Sequence, residues 1–564
     1  MKYNIHKPVI AIMVGAGLLF SACSKDFLNR LPENAVPSEQ FWNSAADIEK
    51  AVTGVYNQLG GDGIIYDAAM SDDAFAQYPW ESSATVMSSG DVTTDLTGSW
   101  GFTDIRRANF FLDNCDKATI DAEQLAQYKA QVRFLRAWFY WDRVVKYGDY
   151  PLITTALEID QVDVPRTPRA EVVDFLIKEL DTVAAVLPVS YDAADNGRAT
   201  KGAALALKAR ILLTDASPYF NTGNDASKWK AAADAAKAVM DLGTYGLYKV
   251  TAETGDNKLD NYSKWVNFSS SADESKFRLG LRSYEGLFEK AGQTSNEIIF
   301  QRDYIVQQDP NYLNTYLPPS TLGGWSSVTP TQQLVDAYDS YKTGEAVTPV
   351  SADQRAEWYG AKDARFYNEY KNRDPRFYAT IMFNGSPWNA LEKGYSFEWI
   401  IGGSNNSKTG YNFRKMVDPD VYKEQVDNYN NVILMRYAEI LLSYAEAENE
   451  YAGPNISVYD ALDQIRERAG MPGVDRSKYS SKESLRTFIR HERRIELALE
   501  GQRYLDIRRW KIAPQVMKTI YDLRKSPAQN RVWNDRLYYF PVPQKQIDLS
   551  NDILKQNPGY SSNE

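Results

Sequence analysis

Apolar residues return every three or four positions over several long stretches of the chain, the period of a helix with one buried face. Ile48, Val52, Val55 and Leu59 form the first stripe, behind Ser44-Ala45-Ala46-Asp47, whose hydroxyl and carboxylate are spaced as in a capping box. From Thr103 the pattern resumes, and Leu125, Tyr128, Val132, Leu135 and Phe139 step by 3, 4, 3 and 4 and end near Gly148. A helix over 169–187 stops at Pro188, another from Ala203 to Leu213 follows Thr200 as its cap, and Trp229 to Leu242 closes at Gly243. Met435–Tyr451, Val458–Ala469 and Lys482–Leu499 carry the same period near the C-terminus. Long helices joined by short polar turns predict antiparallel pairs, a TPR-like array although no strict ~34-residue period runs through it.

Two regions break the pattern. Residues 60–100 are rich in Gly, Ser, Asp and Thr, with Tyr66, Tyr78, Trp80 and Trp100 set among them; Trp100 abuts the helix from Thr103 and is expected in the core. Residues 244–430 cluster Gly, Pro, Asn and aromatics, as in YLPPSTLGGW (316–325) and GSPWNALEKGYSFEW (385–399), and predict irregular structure with minor short strands. The expected fold is mainly all-α, one compact body in three parts. A helical part spans 41–243, a loop-rich part spans 244–430, and a second helical part over 431–564 packs on the scaffold.

The N-terminus changes the reading of the composition. Lys2 and Lys7 precede an apolar run from Val9 to Phe20, too short to span a bilayer, and Ser21-Ala22 then places small residues before Cys23. This reads as a secretory signal over 1–22 with Cys23 the acylated first residue of a lipoprotein, followed by a polar tether over 23–40 that contains two prolines. The whole chain holds two histidines and two cysteines against 13 Trp, 37 Tyr and 22 Phe. Past the signal and Cys23, only His491 and Cys115 remain. That excludes an internal disulfide and a zinc site built mainly from Cys and His. His491 lies in an Arg- and Glu-rich helix, where a structural hydrogen bond is the expectation. Without the signal, 62 basic residues face 74 acidic ones, a net charge of −12 that makes nucleic acid an unsuitable partner.

No phosphate loop, G-x-S-x-G, H-E-x-x-H or C-x-x-C motif occurs. Asp192–Gly197 lacks the third-position ligand and the closing Glu of a calcium loop and reads as a surface turn, so no metal or cofactor is expected. The loop aromatics carry the chemistry instead. Trp and Tyr faces stack on the C–H face of a sugar ring while polar neighbours bond its hydroxyls. Trp325, Trp80, Tyr66 and Trp388 are the candidate platforms, and Asp72 the candidate carboxylate. Gly323-Gly324 would let the backbone turn sharply and present Trp325. The alternative is an enzyme, a helical-toroid glycoside hydrolase or polysaccharide lyase, with paired acids such as Asp72-Asp73 flanking the scissile bond.

Eight segments in order resemble the SusD-like (RagB/SusD) outer-membrane lipoproteins of Bacteroidetes. They are FSAC with SKDFL after it, FWNSAADIEKAVTGVYNQL (41–59), IRRANFFLDN (105–114), VRFLRAWFYWDRVVKYGDYPLI (132–153), RATKGAALALKARILL (198–213), MRYAEILLSYAEAENE (435–450), RHERRIELALEGQRYLDIRRW (490–510) and FPVPQKQIDLSNDILKQNPGY (540–560). The resemblance implies a TPR-like protein whose loop-rich part over 244–430 is variable and ligand-binding, placed at the cell surface and lipid-anchored to the outer membrane, that binds an oligosaccharide and passes it to a SusC-like TonB-dependent transporter without catalysis. It also implies that Asp26 belongs to a surface-export signal, and that Arg493, Arg494, Glu496 and Glu500 are buried structural pairs rather than ligand groups.

Overall fold

The computed structural model describes residues 41–253, 260–388, 394–424 and 427–560. The signal segment, Cys23 and the tether to residue 40 lie outside them. The first element, α1 (Ala45–Tyr56), begins at the expected capping box: Ser44 accepts from the Asp47 amide and the Asp47 carboxylate accepts from the Ser44 amide, with Ile48, Val52 and Val55 turned to the core. Helix α2 (Ile64–Ala69) is a short insertion in the region without helical period. Helix α3 (Thr103–Asn114) packs on α4 (Ala122–Tyr147), whose Asp121 caps the first turn and whose chain leaves at Gly148, φ 72°. Tyr128, Val132, Leu135 and Phe139 are buried along α4, as their spacing demands, and Trp100 is buried beside Tyr147 and Tyr150.

The array continues without a break. Helix α5 (Arg169–Val186) packs on α4, α6 (Lys201–Ala216) on α5, and α7 (Ala226–Met240) on α6. Ala203, Ala204, Ala206, Leu207 and Ala209 are buried on α6, so small side chains set the close approach of its neighbours. Helix α7 then meets α9 (Tyr437–Ala452), which packs on α10 (Ile456–Arg468) and α11 (Lys482–Glu496); α12 (Gln502–Arg509) lies against α2. Helices from the two ends of the chain thus form one frame.

The region between holds a longer helix than its weak period suggests, α8 (Ser271–Glu285), capped by Ser270. Strand pairs tie this region to the frame. In chain order, β1 is Ala74–Ala76, β2 Ile298–Arg302, β3 Val328–Pro330, β4 Ile381–Met382, β5 Asn412–Phe413 and β6 Val432–Arg436; the antiparallel pairs are β1–β3, β2–β6 and β4–β5. Met435 and Arg436 therefore open no helix: they end β6 opposite Phe300 and Ile298, and α9 starts at Tyr437.

Buried charge locks these parts together. Glu496 accepts from Arg376 at 2.9 Å, from Arg436 at 2.7 Å and from Arg468. Glu500 takes Arg436 at 2.7 Å and Lys415 at 2.6 Å, and Glu297 receives Arg436 and Arg468 at 2.7 and 3.0 Å. Arg493 pairs with Asp506 at 2.9 Å, and Arg494 reaches Asp72 and Asp73 at 2.9 and 2.6 Å. Removing one partner from such a network strands charge away from water, so the network specifies how the parts dock more than it adds net stability. His491 makes the structural bond expected of it, Nε2 to Asp339 at 2.8 Å. Burial pushes the Asp339 carboxyl up, but that bond and the charges of His491 and Arg466 hold it below its ordinary range.

Candidate functional site

Two three-residue strands set up the cleft. Pairing Ala74 with Pro330 and Ala76 with Val328 brings the chain after β1 alongside the chain before β3. Gln77 extends the ladder, its amide donating to Ser327 at 3.0 Å, while its side-chain Nε2 donates to the carbonyls of Trp325 and Ser326 at 2.7 and 2.9 Å. Tyr78 and Trp80 follow on one side and Trp325 stands on the other.

The glycines before Trp325 act as anticipated. Gly323 takes the left-handed conformation, φ 76°, and a Cβ on Gly324 would overlap the Pro318 carbonyl. Ser326 is held at φ 48°, with its hydroxyl donating to the Asn405 carbonyl at 3.0 Å. The Trp325 amide donates to Thr315 at 2.7 Å, so the indole projects from a backbone pinned on both sides.

The cleft has a volume of about 810 Å³ and is open to solvent, with Tyr66, Trp80, Glu81, Tyr304, Tyr312 and Tyr316 among its lining. Trp80 is 76% exposed, and its ring lies 4.8 Å from that of Tyr78. Tyr78 is itself fixed: its hydroxyl donates to Asn405 Oδ1 at 2.8 Å and accepts from the Asn405 amide at 2.9 Å. Trp325 is 42% exposed, with its centroid 6.1 Å from Tyr316. Tyr316 in turn lies 5.9 Å from Tyr66 and 6.0 Å from Tyr312, which is 52% exposed. These rings form a rim of apolar faces around polar ground.

Glu81 ties the rim together. Its carboxylate accepts from Tyr66 at 2.7 Å and from Ser327 at 3.0 Å. Burial, and then the adjoining carboxylate, pushes the Tyr66 hydroxyl well above its ordinary pKa, so it stays a neutral donor. On the opposite side, the Asp62 amide donates to Tyr304 at 3.2 Å and the Asp62 carboxylate accepts from the Tyr312 amide at 3.1 Å. The arrangement offers stacking faces with oriented acceptors and donors beside them, suited to a ring with a C–H face and a hydroxyl edge.

Of the sequence candidates, Tyr66 and Trp80 line the cleft, Trp325 stands at its edge against Tyr316, and two lie elsewhere. Trp388 is 1% exposed and lies under the Arg414 guanidinium, 6.0 Å from its ring centroid, so neither face is open to a ligand. Asp72 is fully buried and gripped by Arg503 at 2.8 Å and Arg494 at 2.9 Å. Burial raises its pKa, but the two guanidiniums more than offset this and hold it at about 2. It is a frame residue, and its neighbour Asp73 is bound to Arg494 in the same way. Tyr312, Tyr316, Glu81 and Asn405 are not among the sequence candidates, and Tyr78 stands there only as one of the aromatics of the 60–100 region; the i, i+4 spacing of Tyr312 and Tyr316 is the visible signal. Asp192–Gly197 is a turn in which Asp195 pairs with Arg198 at 2.6 Å, and among the described residues no group of three acids, histidines or cysteines is arranged to hold a metal ion.

A TPR-like helical frame carrying an open, aromatic-rimmed cleft is the class of protein that fold and site define. Comparison with known proteins gives the family: the SusD family model matches residues 285–560, and a second model, described as starch-binding associating with outer membrane, matches residues 26–213. The chain belongs to the SusD/RagB family. SusD-like protein P2 of Formosa agariphila is 23% identical over 96% of this chain and 98% of its own length. A crystal structure of a SusD-like protein from Bacteroides fragilis superposes with a TM-score of 0.75 at 27% identity, covering 94% of this chain and all of that one. The surface glycan-binding protein A of Bacteroides thetaiotaomicron, solved in complex with laminarihexaose, shares the fold with a TM-score of 0.62 at 20% identity, over 91% of this chain and all of its own.

Proposed function

We propose that this chain is a cell-surface glycan-binding lipoprotein. It captures oligosaccharides in the cleft rimmed by Trp80, Trp325 and Tyr312 and passes them to a SusC-like TonB-dependent transporter in the outer membrane. The observation that carries the reading is the exposure of these rings on a rim whose polar groups are already oriented. A soluble protein that leaves large aromatics open beside fixed polar groups spends free energy that a ligand recovers. The family description points to starch binding and to the outer membrane, and a relative of the same fold was solved with laminarihexaose. Acylation of Cys23 would hold the cleft at the membrane surface, and among the described residues no helix is long and apolar enough to cross a membrane.

The function is binding without catalysis. The adjacent acids that suggested a glycosidase, Asp72 and Asp73, are committed to Arg494 and Arg503. The test is a titration of the purified chain against starch-derived, β-glucan and plant-wall oligosaccharides, with product analysis of the tightest binder. Affinity without new reducing ends supports the reading; new reducing ends would overturn it in favour of a hydrolase or lyase. Co-purification of a large β-barrel partner tests the transporter link.

A further inference from the structure

The wall of the cleft carries more negative than positive charge. Asp62, Asp67, Glu81 and Asp309 line it against Lys146 and Arg302. Both cations are engaged: Arg302 is bound to Asp309 at 2.5 Å, and Lys146 lies between Asp142 at 2.8 Å and Asp67 at 3.7 Å. Asp62 and Glu81 have no cation partner among the described residues. Asp62 accepts from the Tyr312 amide at 3.1 Å, and Glu81 from the Tyr66 and Ser327 hydroxyls at 2.7 and 3.0 Å. A recess of about 420 Å³ shares Gly60, Gly61 and Gly63 with the cleft, and it does not redress the balance. It adds Asp104 and Asp142 with Arg143 and Arg508, while its Arg210 and Glu500 are paired into the frame. The excess of two carboxylates therefore stands, in a chain whose net charge past the signal is −12.

The two unpaired carboxylates flank the rings on which a sugar would stack. Glu81 holds Tyr66, Asp62 holds the backbone of Tyr312, and Tyr316 stands between, 5.9 and 6.0 Å from the two ring centroids. Burial first, then Asp62 and Glu81, push the Tyr316 hydroxyl above its ordinary pKa. An ionised carboxylate only accepts, at about four lone-pair positions, of which the bonds above fill one on Asp62 and two on Glu81. The hydroxyls of a neutral sugar can donate to the rest. A uronate or sulfate group brings acceptors alone and meets two like charges.

We infer that the cleft selects uncharged glycans and rejects chains bearing uronate or sulfate groups, with Asp62 and Glu81 as the residues that set the preference. The inference narrows the glycan-binding reading and rests on it. A ligand anion about 7 Å from each carboxylate in a wet cleft loses about tenfold in affinity. The loss shrinks once added salt brings the screening length to about 4 Å.

The test is isothermal titration of the purified chain with starch, laminarin, xyloglucan and galactomannan as neutral probes and polygalacturonate and chondroitin sulfate as anionic ones. The tightest neutral probe is then compared in hydroxyethylated and carboxymethylated forms of equal substitution, the first controlling for bulk. The carboxymethylated form should bind about tenfold more weakly at ~10 mM NaCl, with the gap closing to about threefold at ~0.5 M. Asp62→Asn and Glu81→Gln keep the shape and an acceptor oxygen, so together they should close the gap at low salt to a similar extent; the ratio of the two affinities is the readout. Equal or tighter binding of the carboxymethylated form would overturn the selectivity. So would tightest binding of polygalacturonate or chondroitin sulfate, or a gap that neither salt nor the two substitutions narrow. Each of these leaves the cleft reading standing, whereas binding to none of the probes, neutral or charged, would overturn the cleft reading and the selectivity with it.

Discussion

Truncating Trp325 to alanine separates its proposed role as a sugar platform from the fold. The loop that presents the ring is fixed by its backbone: the Trp325 amide to Thr315 at 2.7 Å, and the Trp325 carbonyl from Gln77 at 2.7 Å. Alanine retains both bonds. What is lost is the ring, 42% exposed and packed against Tyr316. A tryptophan of roughly 250 Å² then presents about 100 Å² to a ligand. A sugar covering half to most of it, at ~25 cal/mol per Å², gains about 1–2 kcal/mol. Trp325→Ala should therefore weaken the tightest-binding oligosaccharide roughly five- to thirtyfold, with a melting temperature close to that of the parent. Trp80, at 76% exposure, presents nearly twice the area, so Trp80→Ala should cost as much or more. Isothermal titration measures the affinities and differential scanning calorimetry the fold. Unchanged affinity in Trp325→Ala would remove that residue from the site. Lost affinity with a markedly lowered melting temperature would show that the loop collapsed and that the stacking argument is wrong.

Four further outcomes follow from the same geometry. Gly324→Ala puts a Cβ against the Pro318 carbonyl and should lower oligosaccharide affinity as Trp325→Ala does while the frame helices keep their circular dichroism. Glu496→Gln leaves Arg376, Arg436 and Arg468 without their shared carboxylate and should cost about 3–5 kcal/mol in denaturant unfolding; a loss under ~1 kcal/mol would refute the network's role. On acidification, burial raises the pKa of Glu446, but Arg509 at 2.6 Å outweighs it and the carboxyl is held at about 2, against 4.5 unfolded. A depressed carboxylate stabilises above its unfolded pKa and loses that contribution as pH falls through the folded one, here about 3 kcal/mol between pH 4.5 and 2. Glu446→Gln should abolish that part of the acid-unfolding profile, and a profile identical to the parent's would count against the assignment. Cys115 is buried and burial pushes its thiol up to about 11, so it should resist alkylation at pH 8 until the chain is unfolded; rapid labelling of the folded chain would contradict its placement.

What could be read from the sequence divides along physical lines. Helices whose stripe and caps agree, such as α1 behind Ser44 and α4 between Asp121 and Gly148, depend on neighbours three or four residues away, and local pattern suffices. Where an extended buried run leads directly into a helix, it does not. Val432–Arg436 is apolar on both faces up to its last residue, and period alone cannot separate a buried strand from the helix that follows it. The candidate site shows the same limit more sharply. Trp80 and Trp388 look alike in sequence, each an indole in a Pro-containing polar loop, yet one is 76% exposed and the other 1%. The second is drawn into the main hydrophobic core, with Arg414, 26 residues beyond it, 6.0 Å from its ring centroid. Asp72 is decided by Arg494 and Arg503, more than 400 residues away.

The middle region also proved to be more than cargo on a helical frame. It supplies Glu297, Arg376 and Lys415 to the buried charge network, so the segment bearing Trp325 is docked by the same interactions that join the helices. This has a consequence for how the cleft tolerates change. The rim is set by β1–β3 and by side-chain bonds from Gln77, Glu81 and Asn405, whereas the network lies among buried groups of the frame. Loop aromatics can therefore be exchanged while the docking of the loops is kept. A frame of buried ion pairs beneath replaceable exposed rings is the arrangement by which one fold serves many ligands.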